Sequence, residues 1–171
     1  YSYGSSGNGS SGNLAMEMFK DRAGITVTHV PYRGSGPAVQ DMLAGQIQIM
    51  FLDTTTAIPL LQSKKLRALA IAPAKRVSVL PDVPTIAEQG YPGFDIHAWY
   101  GLLARAGTPQ PIIQKIYRSA KKSLQDPNVV KTFHSLGIEP GGNTPAEFNQ
   151  LIKEDLAAWK GIVKKLNLKI E

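Results

Sequence analysis

Apolar residues follow two different spacings along the chain, and the two spacings alternate from one segment to the next. Short runs with period-two alternation or β-branched residues predict strands at residues 25–30, 47–52 and 66–72. The run at 66–72 is largely apolar, which predicts a strand that is buried on both faces. Segments with apolar residues at every third or fourth position separate these runs and predict helices. Strands that alternate with helices are typical of an α/β fold with a mostly parallel sheet.

Local capping signals set the bounds of the helices in the first half of the chain. Tyr1 and Tyr3 alternate with Ser2 like the end of a strand, and a Gly/Ser loop follows them. The predicted helices cover 11–23, 37–45 and 57–63, and Gly24 ends the first, Pro37 begins the second and Asp53 caps the third.

The second half is predicted to be rich in loops at first and helical afterwards. Residues 73–93 contain four Pro, which interrupt regular structure and leave room for one short helix near 85–89. Residues 94–103 are predicted to be extended. Helices are predicted at 110–124, 127–136 and 145–166.

Three residues are expected to cap these later helices. Thr108 is the expected cap of the first, and Asp126 precedes a Pro that begins the second. Thr144 and Glu147 have the spacing of a capping box, with Pro145 at the first helical position.

Composition excludes several classes of protein. The 171 residues are 43% hydrophobic and 19% charged, as expected for a globular chain. They include no cysteine, which excludes thiolate catalysis, disulfides and thiolate metal sites. No stretch of uncharged apolar residues is long enough to predict a membrane-spanning helix.

The net charge of +6 is concentrated in residues 101–171, which hold eleven of the nineteen Lys and Arg and contribute +5. Lys115, Arg118, Lys121 and Lys122 recur at helical spacing, which favours a solvated helix face over a nucleic-acid site. An interaction module whose basic helical face binds an acidic partner or nucleic acid is the alternative. Steep salt dependence of binding would favour that alternative.

The three histidines, His29, His97 and His134, do not form a metal site in the sequence. None lies three or four residues from another His or beside a set of carboxylates, so neither a zinc site nor a catalytic role is favoured. A structural or surface role is expected for His29 and His97, whereas His134 suits the dipole of a helix C-terminus. No cofactor is predicted.

The loop that opens the chain, YSYGSSGNGSSGN, allows two interpretations. Its backbone N–H groups, its small hydroxyls and the helix that follows together resemble an anion site, whereas a cap preceded by a flexible linker is the plain alternative. The loop lacks the Lys of a P-loop and the G-x-S-x-G pattern of a nucleophile elbow. A Ser-based hydrolase would also need a base in contact with the serine, and no histidine is well placed in the sequence.

Polar residues follow two predicted strands at the points where each strand ends. Tyr32 and Arg33 follow the first, and Asp53 and Thr54 follow the second. Ligands of open α/β sheets bind beyond the carboxyl ends of the strands, so these residues are candidates for a binding site. Asp53 is equally suited to be a helix N-cap.

Several long motifs occur in an order that resembles one family. HVPYRGSGPAVQDMLAGQIQIMF, LRALAIAPAKRVSVLPDVPTIAEQGYPG and WYGLLARAGTPQPII, together with the opening YSYGSSGNGSSGNLAMEMF, are similar to the Bug-type solute-binding proteins of tripartite tricarboxylate transporters. The resemblance covers essentially the whole chain. It implies a periplasmic binding protein that is not an enzyme and delivers a small carboxylate to membrane permease subunits.

The resemblance also implies a fold and a site. The fold is a type II periplasmic-binding-protein lobe, with a mostly parallel sheet flanked by helices, followed by C-terminal helices that belong to the other lobe. Residues 1–98 would form the second lobe, and 99–171 would return to the first. The ligand-binding residues carried over from the family pattern are Ser5, Ser6, Gly7, Ser10, Ser11, Tyr32, Asp53 and Thr54. Asp53 would repel a ligand carboxylate and suits a ligand amine or a helix cap.

Members of the family are longer, with a signal peptide and a first-lobe segment before the part that this chain matches. The chain is therefore expected to be truncated and to leave apolar surface uncovered, on the segment 98–103 and on a stripe that includes Trp159 and Ile162. Exposed apolar surface of this kind promotes association. A homodimer or an exchange of elements between two copies is expected.

Overall fold

Three short parallel strands form the sheet of this protein. The computed structural model describes residues 1–166 and Leu168. The strands are β1 (Ser2–Ser5), β2 (Thr28–Pro31) and β3 (Ile49–Met50), in the order β2-β1-β3. Tyr3 of β1 pairs with His29 of β2 on one side and with Ile49 of β3 on the other. The parallel α/β arrangement predicted from the sequence is confirmed, although the two later strands are shorter than predicted.

A helix follows each strand. They are α1 (Ser11–Ala23), α2 (Ser35–Leu43) and α3 (Thr54–Gln62). The side chain of Ser10 caps α1 by accepting from the backbone N–H of Asn13, and Gly24 ends it in the left-handed conformation with φ 63°. The second helix begins two residues before the predicted Pro37. Asp53 occupies the N-cap position of α3, but its side chain makes no capping hydrogen bond.

The second half contributes three more helices, α4 (Gln110–Ser123), α5 (Pro127–Ser135) and α6 (Pro145–Lys165). Asp126 accepts from two backbone N–H groups of α5, and Thr144 and Glu147 form both hydrogen bonds of the capping box, as predicted. The predicted cap Thr108 is wrong. Its hydroxyl donates to the carbonyl of Arg105 while Pro109 precedes α4, so it leaves the first-turn amides of that helix uncapped.

The strand predicted at 66–72 does not form in the described part of the chain. Only Ile71 makes a ladder contact, an isolated bridge to Thr85, and Leu69 is 54% exposed rather than buried on both faces. An apolar run becomes a strand only where a second backbone lies beside it. Among the described residues only the end of this run has such a neighbour, at Ile71 and at Ala72, whose carbonyl accepts from the N–H of Ile96.

The short helix predicted near 85–89 is a series of turns instead. Thr85 and Glu88 still exchange the two hydrogen bonds of a capping box, at 2.6 and 3.0 Å, so the local signal was real but the helix does not continue. These two bonds and Arg76 hold the pKa of Glu88 below its usual range, with the Thr85 backbone N–H as the largest cause.

The main core lies between α1, the end of β3 and the segment 84–96. Ala15, Ile86, Phe94 and Ile96 are buried together there, and Phe51 and Trp159 pack against them. Trp159 therefore has a partner, contrary to the expectation that it would be uncovered. None of the helices in the described ranges combines the length and hydropathy that crossing a membrane requires.

Apolar surface is exposed on the segment 98–103, as predicted, and at one residue of α6. Tyr100, Leu102 and Leu103 are 68%, 71% and 72% exposed, and Leu156 of α6 is 54% exposed. Trp99 is less exposed because its ring packs edge-on against Phe148, and its indole N–H donates to Asp155.

Candidate functional site

The three loops that follow the strands meet at the carboxyl edge of the sheet. The backbone N–H of Tyr32 donates to the carbonyl of Ser5 at 3.1 Å, and that of Gly34 donates to the carbonyl of Ser6 at 3.2 Å. These bonds join the loop after β2 to the loop after β1. On the other side, α1 lies so close to the end of β3 that a Cβ atom on Gly12 would be 2.8 Å from the carbonyl oxygen of Phe51.

The Gly/Ser loop is ordered by its own hydrogen bonds. Ser10 donates through its hydroxyl to the carbonyl of Gly7 at 2.7 Å while it caps α1. The backbone N–H of Gly9 donates to the side-chain oxygen of Asn13 at 2.9 Å. Gly7 has φ 134°, a conformation that L-residues with side chains rarely adopt. The loop is therefore a built connection between β1 and α1 and not a flexible linker.

Ser5 lies beneath this loop and is fully buried. Its hydroxyl donates to the carbonyl of Gly7, accepts from the N–H of the same residue and lies 2.7 Å from Nε2 of His29. The sequence-based conclusion that no histidine is well placed near the serines was wrong, because the pairing of β1 with β2 places His29 there. Burial of Ser5 keeps substrates away from its hydroxyl, so the contact does not form a nucleophile for hydrolysis.

A buried polar chain continues from His29 into α1. The His29 ring stacks on Tyr3, and the Tyr3 hydroxyl donates to Glu17 and accepts from the Asn13 amide at 2.8 Å. Glu17 also forms an ion pair with Lys20 at 2.8 Å. Burial raises the pKa of Tyr3 above its usual range, and the hydrogen bond and charge of Glu17 raise it further, so the phenol stays protonated.

The hydroxyl of Tyr32 is also engaged. It donates to a carboxylate oxygen of Asp41 on α2 at 2.7 Å, and this hydrogen bond is the largest cause that raises the pKa of Tyr32. Tyr32 therefore joins its loop to α2 through its side chain and to Ser5 through its backbone.

A cleft of about 2660 Å³ opens beside this edge of the sheet. Among the predicted site residues, Ser11, Asp53 and Thr54 line it, and Gly12 and Thr55 lie beside them on the same wall. Ser5, Ser6, Gly7, Ser10 and Tyr32 do not line the cleft. They form the loops that hold the start of α1 in place. The cleft is larger than the roughly 300–1,000 Å³ typical of small-molecule sites, so a small ligand would fill only part of it.

The start of α1 and the start of α3 face this cleft together. Within the described residues, no acceptor is bonded to the backbone N–H groups of Ser11, Gly12, Thr54 and Thr55. Free N–H groups and the positive ends of two helix dipoles favour an anion. The hydroxyls of Ser11 and Thr54 add donors of the same kind.

The described residues contain no group of three or more His, Cys, Asp or Glu that could hold a metal ion. His97 pairs with Asp95 and His134 with Glu139, both on exposed surface, as expected for surface roles. The basic residues of α4 include Lys121, whose ammonium lies over the ring of Tyr117. Whether this face binds an acidic partner stays a prediction.

The sequence matches the tripartite tricarboxylate transporter family receptor, TctC, over residues 1–168. The chain belongs to the TctC family. BugT of Bordetella pertussis is 35% identical over 163 residues, which are 95% of this chain and 50% of BugT. The chain spans about half the length of the first curated relatives it matches.

Two solved structures of relatives contain carboxylates. The protein Rpa4515 of R. palustris, solved with adipate, has a TM-score of 0.93 and 32% identity, and the match covers 97% of this chain and 56% of that one. MatC of Rhodopseudomonas palustris, solved with bound malate, has a TM-score of 0.88 and 33% identity over 95% of this chain and 56% of that one. Other neighbours include the periplasmic binding protein BugD.

These matches confirm the sequence-based assignment to the Bug-type receptors and to the periplasmic-binding-protein fold. TctC proteins are solute-binding receptors and not enzymes, which the resemblance implied. Gly12, Asn13 and Thr55 were not among the predicted site residues. The signal for Asn13 was its place three residues after the cap Ser10, from which a side chain reaches back to the loop.

Proposed function

We propose that this chain forms part of a periplasmic receptor that binds a small carboxylate for a tripartite tricarboxylate-type transporter. The observation that carries the proposal is the pair of helix N-termini, at Ser11 and Thr54, that face one cleft with N–H groups to which no acceptor among the described residues is bonded. The relatives solved with adipate and malate support a carboxylate as the anion.

The ligand carboxylate is placed between the start of α1 and the start of α3. Ser11 and Thr54 donate through their hydroxyls and backbone N–H groups, and Gly12 and Thr55 add backbone donors. Ser5, Ser6, Gly7, Ser10 and Tyr32 contribute as the residues that form and brace the loop. The carboxylate of Asp53, at the same wall, repels a ligand carboxylate and keeps it toward the helix N-termini.

Removing one hydroxyl at this wall is expected to weaken binding of adipate or malate by roughly 10–100-fold, since a hydrogen bond to a charged group contributes about 1.5–3 kcal/mol. The variants are Ser11→Ala and Thr54→Val, and calorimetric titration of purified receptor measures the dissociation constants. Ser63→Ala at the far end of α3 is the matched control, because its hydroxyl donates to Pro59.

Asp53→Asn distinguishes the carboxylate proposal from binding of an amine. Loss of the like charge leaves carboxylate affinity unchanged or raises it, whereas it weakens an amine ligand. Titrations in which Ser11→Ala and Thr54→Val bind carboxylates as tightly as the parent protein would remove this site from consideration.

The receptor role implies that a membrane permease takes the ligand from this protein.

We place the boundary between the two lobes at residues 98 and 99, where the strongly exposed apolar segment begins. Trp159 of α6 packs on the core of the first part, so α6 remains in contact with it.

Residues 99–103 are proposed to mediate self-association of the chain as it stands. Three of their apolar side chains are more than two thirds exposed, and such surface favours burial against a second copy. Light scattering is expected to show a dimer, and the double variant Leu102→Glu and Leu103→Glu is expected to be monomeric. A well-behaved monomer of the parent chain at the same concentration contradicts this expectation.

A further inference from the structure

His29 lies at the junction of the Gly/Ser loop and the buried polar chain of α1. Its Nε2 is 2.7 Å from the hydroxyl of Ser5, and its Nδ1 is 3.5 Å from the side-chain nitrogen of Asn13. The same Asn13 side chain holds the backbone N–H of Gly9 through its oxygen. One imidazole therefore contacts both ends of the loop, at Ser5 directly and at Gly9 through Asn13.

The hydrogen bonds around Asn13 fix which nitrogen of His29 carries the proton. The protonated Tyr3 hydroxyl donates to Glu17 and so accepts from the Asn13 nitrogen, while Gly9 donates to the Asn13 oxygen. The Asn13 NH₂ is therefore the group that faces Nδ1, which must be unprotonated to accept from it. Nε2 then carries the proton and donates it to Ser5.

We propose that His29 is a positioning residue for the Gly/Ser loop, which holds the start of α1 in place, and that its protonation loosens the loop at Gly9. A second proton would be added to Nδ1, where it would face the two donors of the Asn13 amide. Rotating that amide to present its oxygen to the ring would break its bonds to Gly9 and Tyr3. Protonation and the ordered loop therefore exclude each other.

Burial of the His29 ring is the main reason that this transition lies in acid. The titratable groups that act on the ring are Tyr3 on β1 and Glu17 and Lys20 on α1. Burial lowers the pKa of His29 from its ordinary value of 6.5; Lys20 acts in the same direction, and Glu17 opposes both. The neutral ring and the ordered loop are therefore favoured above pH 6.5, and the stability they contribute is lost as the pH falls below that value.

The role in ligand binding rests on the proposed function, but the effect on the loop does not, so two readouts separate them. The first is an NMR titration of the ¹⁵N-labelled protein from neutral to acidic pH without ligand. The amide resonances of Gly7 and Gly9 are expected to shift with the same midpoint as the His29 ring. His29→Gln, which cannot titrate, is expected to abolish that shift, whereas His97→Gln, at an exposed ion pair, preserves it.

A second variant keeps the test decisive if His29→Gln does not fold. Asn13→Asp replaces the facing donor with a carboxylate, which is expected to move the midpoint of His29 upward. Glycine resonances that stay constant while the His29 ring titrates would overturn the proposal, as would an unchanged glycine titration in His29→Gln.

The second readout is the affinity for adipate at acidic and neutral pH. Protonation of adipate itself affects all variants equally. The affinity of the parent protein divided by the affinity of His29→Gln therefore isolates the contribution of His29. This ratio is expected to change about fivefold or more between the two pH values, within the usual range of coupling between two sites. A constant ratio overturns the link to binding. If the parent protein binds neither adipate nor malate, the proposed function fails, while the glycine titration still decides the role of His29 in the loop.

Discussion

Replacing Phe94 with Ala is expected to lower the free energy of unfolding by about 3–5 kcal/mol, the usual cost of removing a buried aromatic ring. Phe94 is fully buried in the core that joins α1 to the end of β3. Its ring stacks on Phe51 with centroids 6.4 Å apart and meets Phe19 edge-on at 6.3 Å, and the guanidinium of Arg22 lies over it.

The measurement is urea unfolding followed by circular dichroism. In a chain of this size the loss corresponds to a fall in melting temperature of about 6–20 °C. Tyr1→Ala is the control, because it removes an aromatic ring that is 95% exposed and is expected to change stability by less than about 0.5 kcal/mol. Equal unfolding midpoints for the two variants would contradict the assignment of Phe94 to the core.

Phe94 also affects the candidate site, because the two helix starts are held by the elements that it joins. Phe51 lies two residues before Asp53, and Ala15 lies in the first half of α1. The cavity that Phe94→Ala leaves therefore loosens the wall of the cleft that contains Ser11 and Thr54. The variant is expected to bind carboxylates more weakly even at temperatures where it is folded.

The helices were predictable because their signals are local. Asp126 and Thr144 bond to backbone N–H groups within three residues of themselves, so a short stretch of sequence contains both partners. The strand at 66–72 was not predictable in this way, since an apolar run forms a strand only if a distant backbone pairs with it. Arg67 and Leu69 are exposed in the described structure, and Ile71 alone has a bridge partner.

In the candidate site, too, some features follow from local sequence and others depend on the pairing of distant segments. The rule that ligands bind beyond the carboxyl ends of parallel strands pointed to Asp53 and Thr54, which line the cleft, and to Tyr32 and Arg33, which do not. The contact between Ser5 and His29 spans 24 residues and depends on the register that places Tyr3 opposite His29. Composition and residue spacing do not determine that register. The buried polar side chains that run from His29 into α1 could therefore be identified only from the structure.

Gly12→Ala is the second variant with a large expected effect, because the first turn of α1 touches the backbone that follows β3. The added Cβ would lie 2.8 Å from the carbonyl oxygen of Phe51, a separation that real Cβ atoms essentially never show. The obstacle is backbone and not the end of a flexible side chain, so α1 or the end of β3 must move. Overpacking of this kind costs about 1–3 kcal/mol.

Gly36→Ala is a closely matched control. Gly36 is also the second residue of its helix, α2, but a Cβ there meets nothing within 4 Å. Both substitutions reduce the freedom of the unfolded chain and favour helix, but Pro37 disfavours the α conformation of an Ala before it, so the gain at Gly36 is the smaller of the two. Without the contact with Phe51, Gly12→Ala would therefore be at least as stable as Gly36→Ala, and a lower unfolding free energy of Gly12→Ala reports that contact. If Gly12→Ala is as stable as Gly36→Ala, the close approach of α1 to β3 is refuted.

The consequence for binding follows from the position of this contact. The backbone N–H of Gly12 and the hydroxyl of Ser11 lie on one side of the proposed carboxylate, and Thr54 lies three residues beyond Phe51 on the other. Moving α1 away from Phe51 widens the gap that the carboxylate must bridge. Donors displaced by a few tenths of an ångström lose hydrogen-bond strength to a fixed anion, so Gly12→Ala is expected to lose more affinity for adipate than its loss of stability alone explains. Calorimetric titration at a temperature where both variants are folded makes that comparison, and Gly36→Ala is expected to bind as the parent does.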